Sequence, residues 1–116
     1  MNRLVEIALF TTKVDQAAEF YRDLLGVEPD YRGEGIAIFN ISGMKLLIHK
    51  KDVSAVGMPP NEDHFAFGVL DLNASSNELT RRGLKLAIEP RKFDWGRSAY
   101  LRDPDGRLVE LYETQE

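Results

Sequence analysis

Two stretches of this chain, Glu6 to Gly26 and His64 to Gly83, run through the same succession of features, and their starts lie 58 positions apart in a chain of 116 residues. Self-similarity at half the chain length restricts the fold to one built from a duplicated unit. In the first copy Val5, Ile7 and Leu9 alternate with Leu4, Glu6, Ala8 and Phe10, the period of two that gives a strand over 3–10 one wholly apolar face. Asp15 then precedes Ala17, Ala18, Phe20, Tyr21, Leu24 and Leu25 at helical spacing, which predicts a helix over 15–25 with Gly26 as its left-handed stop. Strand-like runs near 28–32, 35–41 and 44–50 follow, divided by turns at Gly33–Gly35 and Ser42–Gly43.

The second copy repeats that order. Phe65, Phe67 and Val69 alternate with His64, Ala66 and Gly68. Asp71 can cap a helix carrying Leu72, Leu79 and Arg82, stopped by Gly83. Strands near 85–89, 97–102 and 107–113 finish the chain, the last two joined by the turn Asp103-Pro104-Asp105-Gly106. Between the copies, residues 52–63 contain Pro59-Pro60 and several turn formers, and read as a connector. The expectation is a single α+β domain of paired βαβββ modules, 1–51 and 64–116, forming a curved, cleft-bearing sheet. The two halves share few identities, so two unrelated α/β halves would satisfy the same element order.

Length and composition narrow the function classes. A chain of 116 residues supports one core. No run of 18 apolar residues exists, which leaves a membrane out of the expected partners. The absence of cysteine excludes thiolate metal sites and thiol nucleophiles, so a metal would have to be held by His and carboxylate. The net charge of -4 comes without a basic block, which excludes nucleic acid as a partner. The opening Met-Asn-Arg-Leu-Val-Glu lacks the apolar core of a secretory signal, and a cytoplasmic location is expected.

Strand parity then singles out three side chains. Glu6 shares a face with Leu4, Ala8 and Phe10, opposite the apolar face that has to meet the helix. By the same rule His64 lies opposite Phe65, Phe67 and Val69, and Glu110 lies opposite Val109 and Leu111. Carboxylates on a partly closed face need solvent, a proton or a cation, and a divalent ion such as Mn, Fe, Co, Ni or Zn answers both acids at once. Three protein ligands leave positions open for substrate oxygens, and either Glu6 or Glu110 can act as a base. A wet sheet face with ordinary polar residues is the competing reading of the same parity. His49, beside Lys50 and Lys51, reads as a surface residue. Trp95, Arg97, Ser98 and Tyr100 are candidates to line a pocket for a small molecule, and Phe93, Trp95 and Tyr100 permit a cationic aromatic ligand.

The stretches Ala18-Glu19-Phe20-Tyr21-Arg22-Asp23-Leu24-Leu25-Gly26, Asp63-His64-Phe65-Ala66-Phe67-Gly68-Val69 and Tyr100-Leu101-Arg102-Asp103-Pro104-Asp105-Gly106-Arg107-Leu108-Val109-Glu110 resemble, in that order, the signatures of the vicinal oxygen chelate superfamily, which includes glyoxalases, bleomycin-resistance proteins and dioxygenases. The resemblance implies paired βαβββ modules, a homodimer and a metal held by Glu6, His64 and Glu110. Glu6 stands fourteen residues before the Phe of the Phe-Tyr pair, where members usually carry His or Gln. Leu47 stands where glyoxalase-I-like members have a fourth ligand. Three ligands with an apolar fourth position are similar to the fosfomycin-inactivating thiol transferases, and Ser98 and Tyr100 match polar residues near their substrate. The resemblance therefore implies a metal-dependent lyase, isomerase or thiol transferase acting on a small oxygen-rich substrate. A metal-free binding protein of the bleomycin-resistance type is the alternative. Dioxygenase chemistry ranks last, because most such sites use two His and one carboxylate.

Overall fold

Alternation along the first strand decides which side of each module is covered. In a computed structural model, which describes residues 3–51 and 60–115, the elements run β1 (Arg3–Thr11), α1 (Val14–Leu25), β2 (Tyr31–Gly33), β3 (Ile36–Ile41), β4 (Met44–Lys50), β5 (His64–Val69), α2 (Leu72–Arg81), β6 (Ile88–Phe93), β7 (Gly96–Arg102) and β8 (Leu108–Glu113). The βαβββ order occurs twice, as the repeat requires. Most of the expected connector, residues 52–59, lies outside the described residues. The chain divides into two compact units, Glu6–Asp63 and Met1–Val5 with His64–Glu116.

In the first unit β4 pairs parallel with β1 and antiparallel with β3, which pairs antiparallel with the short edge strand β2. Ile7 and Leu9 stand beside Leu46 and Ile48 in register. Together with Ala37 and Phe39 they close on Ala18 of α1. Burying Phe39 and Ile48 completely contributes about 1.5–3 kcal/mol each relative to exposure. The helix starts two residues earlier than Asp15 would set it as cap: Lys13 is the N-cap, without a side-chain bond. Asp15 sits instead in the first turn, where its charge suits the helix dipole. Gly26, at φ 73°, ends the helix by donating its N–H to the Arg22 carbonyl.

The second unit repeats the plan with β8 between β5 (parallel) and β7 (antiparallel), and β6 at the edge. Val69, Ala99, Leu101 and Leu111 pack under Leu72 of α2, with Phe67, Leu79 and Leu86 around them. Asp71 caps α2 as expected, its carboxylate accepting from the Ala74 N–H at 3.0 Å. Two strands differ from the sequence reading. β2 is shorter and later than 28–32, because Gly33 pairs with Ile36 across a two-residue turn at Glu34–Gly35. β6 begins at Ile88 rather than 85 and runs through Pro90. Proline cannot donate to a ladder, and it is tolerated here by an edge strand whose register shifts between Ile88 and Arg91. Among the described residues no helix is long and apolar enough to cross a membrane.

The Asp103–Gly106 turn that joins β7 to β8 is fixed by one carboxylate. Asp103 Oδ1 accepts from the N–H groups of Asp105 and Arg107, both at 2.9 Å, and Oδ2 meets the Arg107 guanidinium at 3.2 Å. The Arg107 amide first, and its guanidinium in support, hold the Asp103 carboxyl below its ordinary value of 3.8. A depressed folded value means that the charge stabilises the fold above pH 3.8 and that this contribution is lost as pH falls through the lower folded value. Asp103→Ala is therefore expected to melt below the parent protein at pH 7, with the difference shrinking as acid takes the pH below 3.8, followed by circular dichroism.

Candidate functional site

In the second unit the register sets Glu110 of β8 between Ala66 of β5 and Tyr100 of β7. All three point to the face opposite Phe67, Leu111 and Ala99, which α2 covers. Ala66 contributes only a methyl group, so the neighbouring strand leaves room for the Glu110 side chain. Glu110 is nevertheless only 4% exposed. A carboxylate so deeply placed has to be answered by donors.

It is answered on both oxygens. Oε1 lies 3.0 Å from His64 Nε2, and Oε2 accepts from the Ser98 hydroxyl at 2.6 Å. Ser98, fully buried, accepts in turn from the Trp95 indole N–H at 3.2 Å. The imidazole and the carboxylate are almost equally sheltered, at 6% and 5% side-chain exposure. Around this chain the aromatic rings interlock. Tyr100 meets His64 edge-on at 5.9 Å and Phe93 edge-on at 6.0 Å. Phe93 stacks flat on Trp95 at 4.7 Å. Trp95 is 46% exposed, so one end of the cluster reaches solvent while the His64–Glu110 end is closed. The Trp95 carbonyl also accepts from the Tyr112 hydroxyl at 3.3 Å, which ties the β6–β7 turn to β8.

The structure thus gathers His64, Glu110, Ser98, Tyr100 and Trp95 on one face of the second unit. Arg97 is not brought to them. As the neighbour of Ser98 in a strand it points the other way, donating to Asn73 Oδ1 at 3.2 Å and meeting Glu113 Oε2 at 3.5 Å. Glu113 Oε2 also accepts from the Leu72 N–H at 2.9 Å, so Arg97 lies beside the N-terminus of α2, where it lines a separate cleft with Asp71, Asn73 and Glu113. Glu113 was not singled out from the sequence, although its odd position in β8, shared with Val109 and Leu111, marks the helix side. In the first unit Glu6 lies on the face of β1 turned from α1, in register with Lys45. His49 is half-buried rather than a plain surface residue: its Nδ1 donates to the Lys50 carbonyl at 2.8 Å and its ring packs on Phe10 at 5.4 Å.

Within neither unit do three or more His, Asp or Glu side chains among the described residues gather into a metal-holding cluster. The second unit alone supplies two donors. Their chemistry, an imidazole nitrogen and a carboxylate oxygen, suits a borderline divalent ion. His64 Nε2 and Glu110 Oε1, now hydrogen-bonded to each other at 3.0 Å, are near enough to share one such ion once that bond is given up.

Residues 3–111 match the family model of the Glyoxalase/Bleomycin resistance protein/Dioxygenase superfamily. The chain belongs to that superfamily. Within it, the chain is 28% identical to the metallothiol transferase FosB of Shouchella clausii over 97% of this chain and 80% of the relative. It is likewise 28% identical to a probable lactoylglutathione lyase of a Synechocystis strain, covering 87% of each. Among solved structures, a methylmalonyl-CoA epimerase of Streptomyces coelicolor superposes with a TM-score of 0.73 and 27% identity over 97% of this chain and 94% of that one. Superfamily membership thus joins thiol transferases, lyases and epimerases on one βαβββ plan.

Ser98 is the residue on which the buried carboxylate leans. Ser98→Ala strips Glu110 Oε2 of its 2.6 Å donor. It is expected to lower the unfolding free energy by about 1–3 kcal/mol, the cost of leaving a buried acceptor unanswered. Urea denaturation followed by the fluorescence of Trp95, the one tryptophan of the chain, measures it.

Proposed function

We propose that this protein is a divalent-metal-dependent enzyme of the lyase, isomerase or thiol-transferase type, acting on a small oxygen-rich substrate, with Glu6, His64 and Glu110 as the metal ligands. The observation that carries the reading is the buried His64–Glu110 pair, whose donor atoms stand 3.0 Å apart on the helix-free face of the second unit. The relatives' names, a metallothiol transferase and a probable lactoylglutathione lyase, support metal and thiol-adduct chemistry for the same plan. Glu6 enters as the third ligand from its place in the sequence motif and from its position on the open side of β1.

A divalent ion, when bound, polarises substrate oxygens and stabilises the negative charge that forms on them. The protein's own groups prepare that event. Ser98 holds Glu110 Oε2, so the carboxylate cannot rotate and Oε1 stays directed at the site. Trp95, donating to Ser98 Oγ, orients the hydroxyl proton towards Glu110. Tyr100, packed edge-on against His64, keeps the imidazole plane from tilting and excludes water beneath it. Oε1 of Glu110, the oxygen that would hold the ion beside His64 Nε2, would have to give up that role before taking a substrate proton, because Oε2 already takes the Ser98 proton. The half-exposed Trp95 ring, backed by Phe93, offers a flat surface to the rest of the substrate.

One observation favours a second reading, a metal-free binding protein of the bleomycin-resistance type. The stacked Phe93–Trp95 pair, reaching solvent, is built to receive a planar or cationic ligand without any chemistry. Metal content separates the two. The enzyme reading expects close to one Mn, Fe, Co, Ni or Zn per chain by mass spectrometry after reconstitution and dialysis. It also expects affinity to fall by at least about tenfold in His64→Ala and in Glu110→Ala, as loss of a ligand demands. A wild-type protein that retains no metal, yet quenches Trp95 fluorescence with planar cations, establishes the second reading instead.

A further inference from the structure

The helix-free face of the second unit differs in charge from the chain as a whole, which carries a net charge of -4. Among the residues whose pairing is fixed, the charged ones on that face are Arg91, Arg102 and Glu110. Arg91 of β6 stands beside Ser98, and Arg102 of β7 stands beside Leu108, itself the neighbour of His64. Glu110 is buried and already answered by His64 and Ser98. Both arginines are exposed, so the charges that these residues present to solvent are positive. Several acids of the same unit are engaged elsewhere: Asp71 caps α2, Glu113 accepts from the Leu72 N–H, and Asp103 and Asp105 pair with Arg107. In an acidic protein such a segregation of charge selects the sign of the ligand that this face receives.

Arg91 also adjoins the aromatic shelf. Phe93 points to the same side of β6, since it pairs with Gly96 as Arg91 pairs with Ser98. Two residues of extended strand set their Cα atoms roughly 6.6 Å apart. Phe93 stacks on Trp95 at 4.7 Å, and Trp95 is 46% exposed. One ligand can thus lay a ring on the indole and reach the guanidinium with a group attached to that ring. A guanidinium carries five N–H donors in a planar fork that matches a carboxylate, so Arg91 can take one alongside its contacts within the protein. Asp94, the acidic neighbour at the hairpin tip, is exposed, and water screens its charge.

We propose that Arg91 and the Phe93–Trp95 shelf together form a binding site for a planar aromatic carboxylate, with Arg91 selecting the anion over its neutral and cationic analogues. The inference rests on Trp95 as the surface that receives the ligand, as read above, and needs no metal. Titration of the metal-free full chain, kept in chelator, with benzoate, benzamide and benzylammonium tests it. Trp95 is the one tryptophan, so a single indole N–H cross-peak in proton–nitrogen spectra reports each affinity. Benzoate is expected to bind at least about threefold more tightly than benzamide, the scale of a solvent-exposed ion pair, and benzylammonium more weakly than either. Arg91→Gln, with unchanged far-ultraviolet circular dichroism, is expected to abolish the preference. In the parent protein, which needs no variant to fold, salt at about 1 M is expected to reduce it. Equal affinity of the parent for benzoate and benzamide, or a preference that survives in folded R91Q, overturns the proposal and leaves the shelf standing. An indole cross-peak that ignores all three compounds overturns the reading of the shelf itself.

Discussion

A carboxylate buried to 4% exposure is the constraint around which the second unit is arranged. Glu110 sits in the middle strand of its half-sheet, so it cannot reach water by swinging outward, and each oxygen needs a donor in place. His64 comes from the parallel neighbour and Ser98 from the antiparallel one. A donor from each side leaves the carboxylate in a single orientation. The rings of Tyr100, Phe93 and Trp95 then close the surroundings, which strengthens every electrostatic interaction inside. Breaking the imidazole–carboxylate bond with a cation substitutes one compensating charge for a proton, and for that reason a pair of this kind is suited to exchange a hydrogen bond for a metal.

The duplicated plan makes the contrast between the modules informative. In the second, the row across the helix-free face reads Ala66, Glu110, Tyr100, Ile88; in the first, the equivalent row reads Ala8, Leu47, Ile38, Tyr31. The backbone pairing is the same. One module has a buried acid where the other has leucine, so the polar chemistry is concentrated in one copy of the repeat. Glu6, in register with Lys45, is the acidic side chain that the first module contributes on that side of β1.

Much of this was legible in the chain before any coordinates, and the reason is parity. A strand that must cover a helix fixes the direction of every second side chain, which is why Glu6, His64 and Glu110 could be assigned to the side away from α1 and α2. The same rule, applied to adjacent residues, separates Arg97 from Ser98 and sends it to the cleft beside Asn73 and Glu113. Other features needed the register itself. That Ser98 stands beside Tyr112 and within reach of Glu110, and that Trp95 reaches back to Ser98, depends on the length of the β6–β7 hairpin. Pro90 disguised that hairpin by breaking the alternation of an edge strand. Lys13 as the cap of α1 was equally hidden, because its side chain plays no part in the capping.

The central claim is that His64, and not the other histidine, is a metal ligand. The chain has two histidines, so long-range proton–nitrogen correlation spectra of the imidazoles report on each separately while Co(II) is added. The account predicts that the Nε2 resonance of His64 broadens or shifts far outside the diamagnetic range at one equivalent, while His49, bonded through Nδ1 to the Lys50 carbonyl, keeps its position. An unperturbed His64 ring at saturating metal, or a perturbation confined to His49, would contradict it.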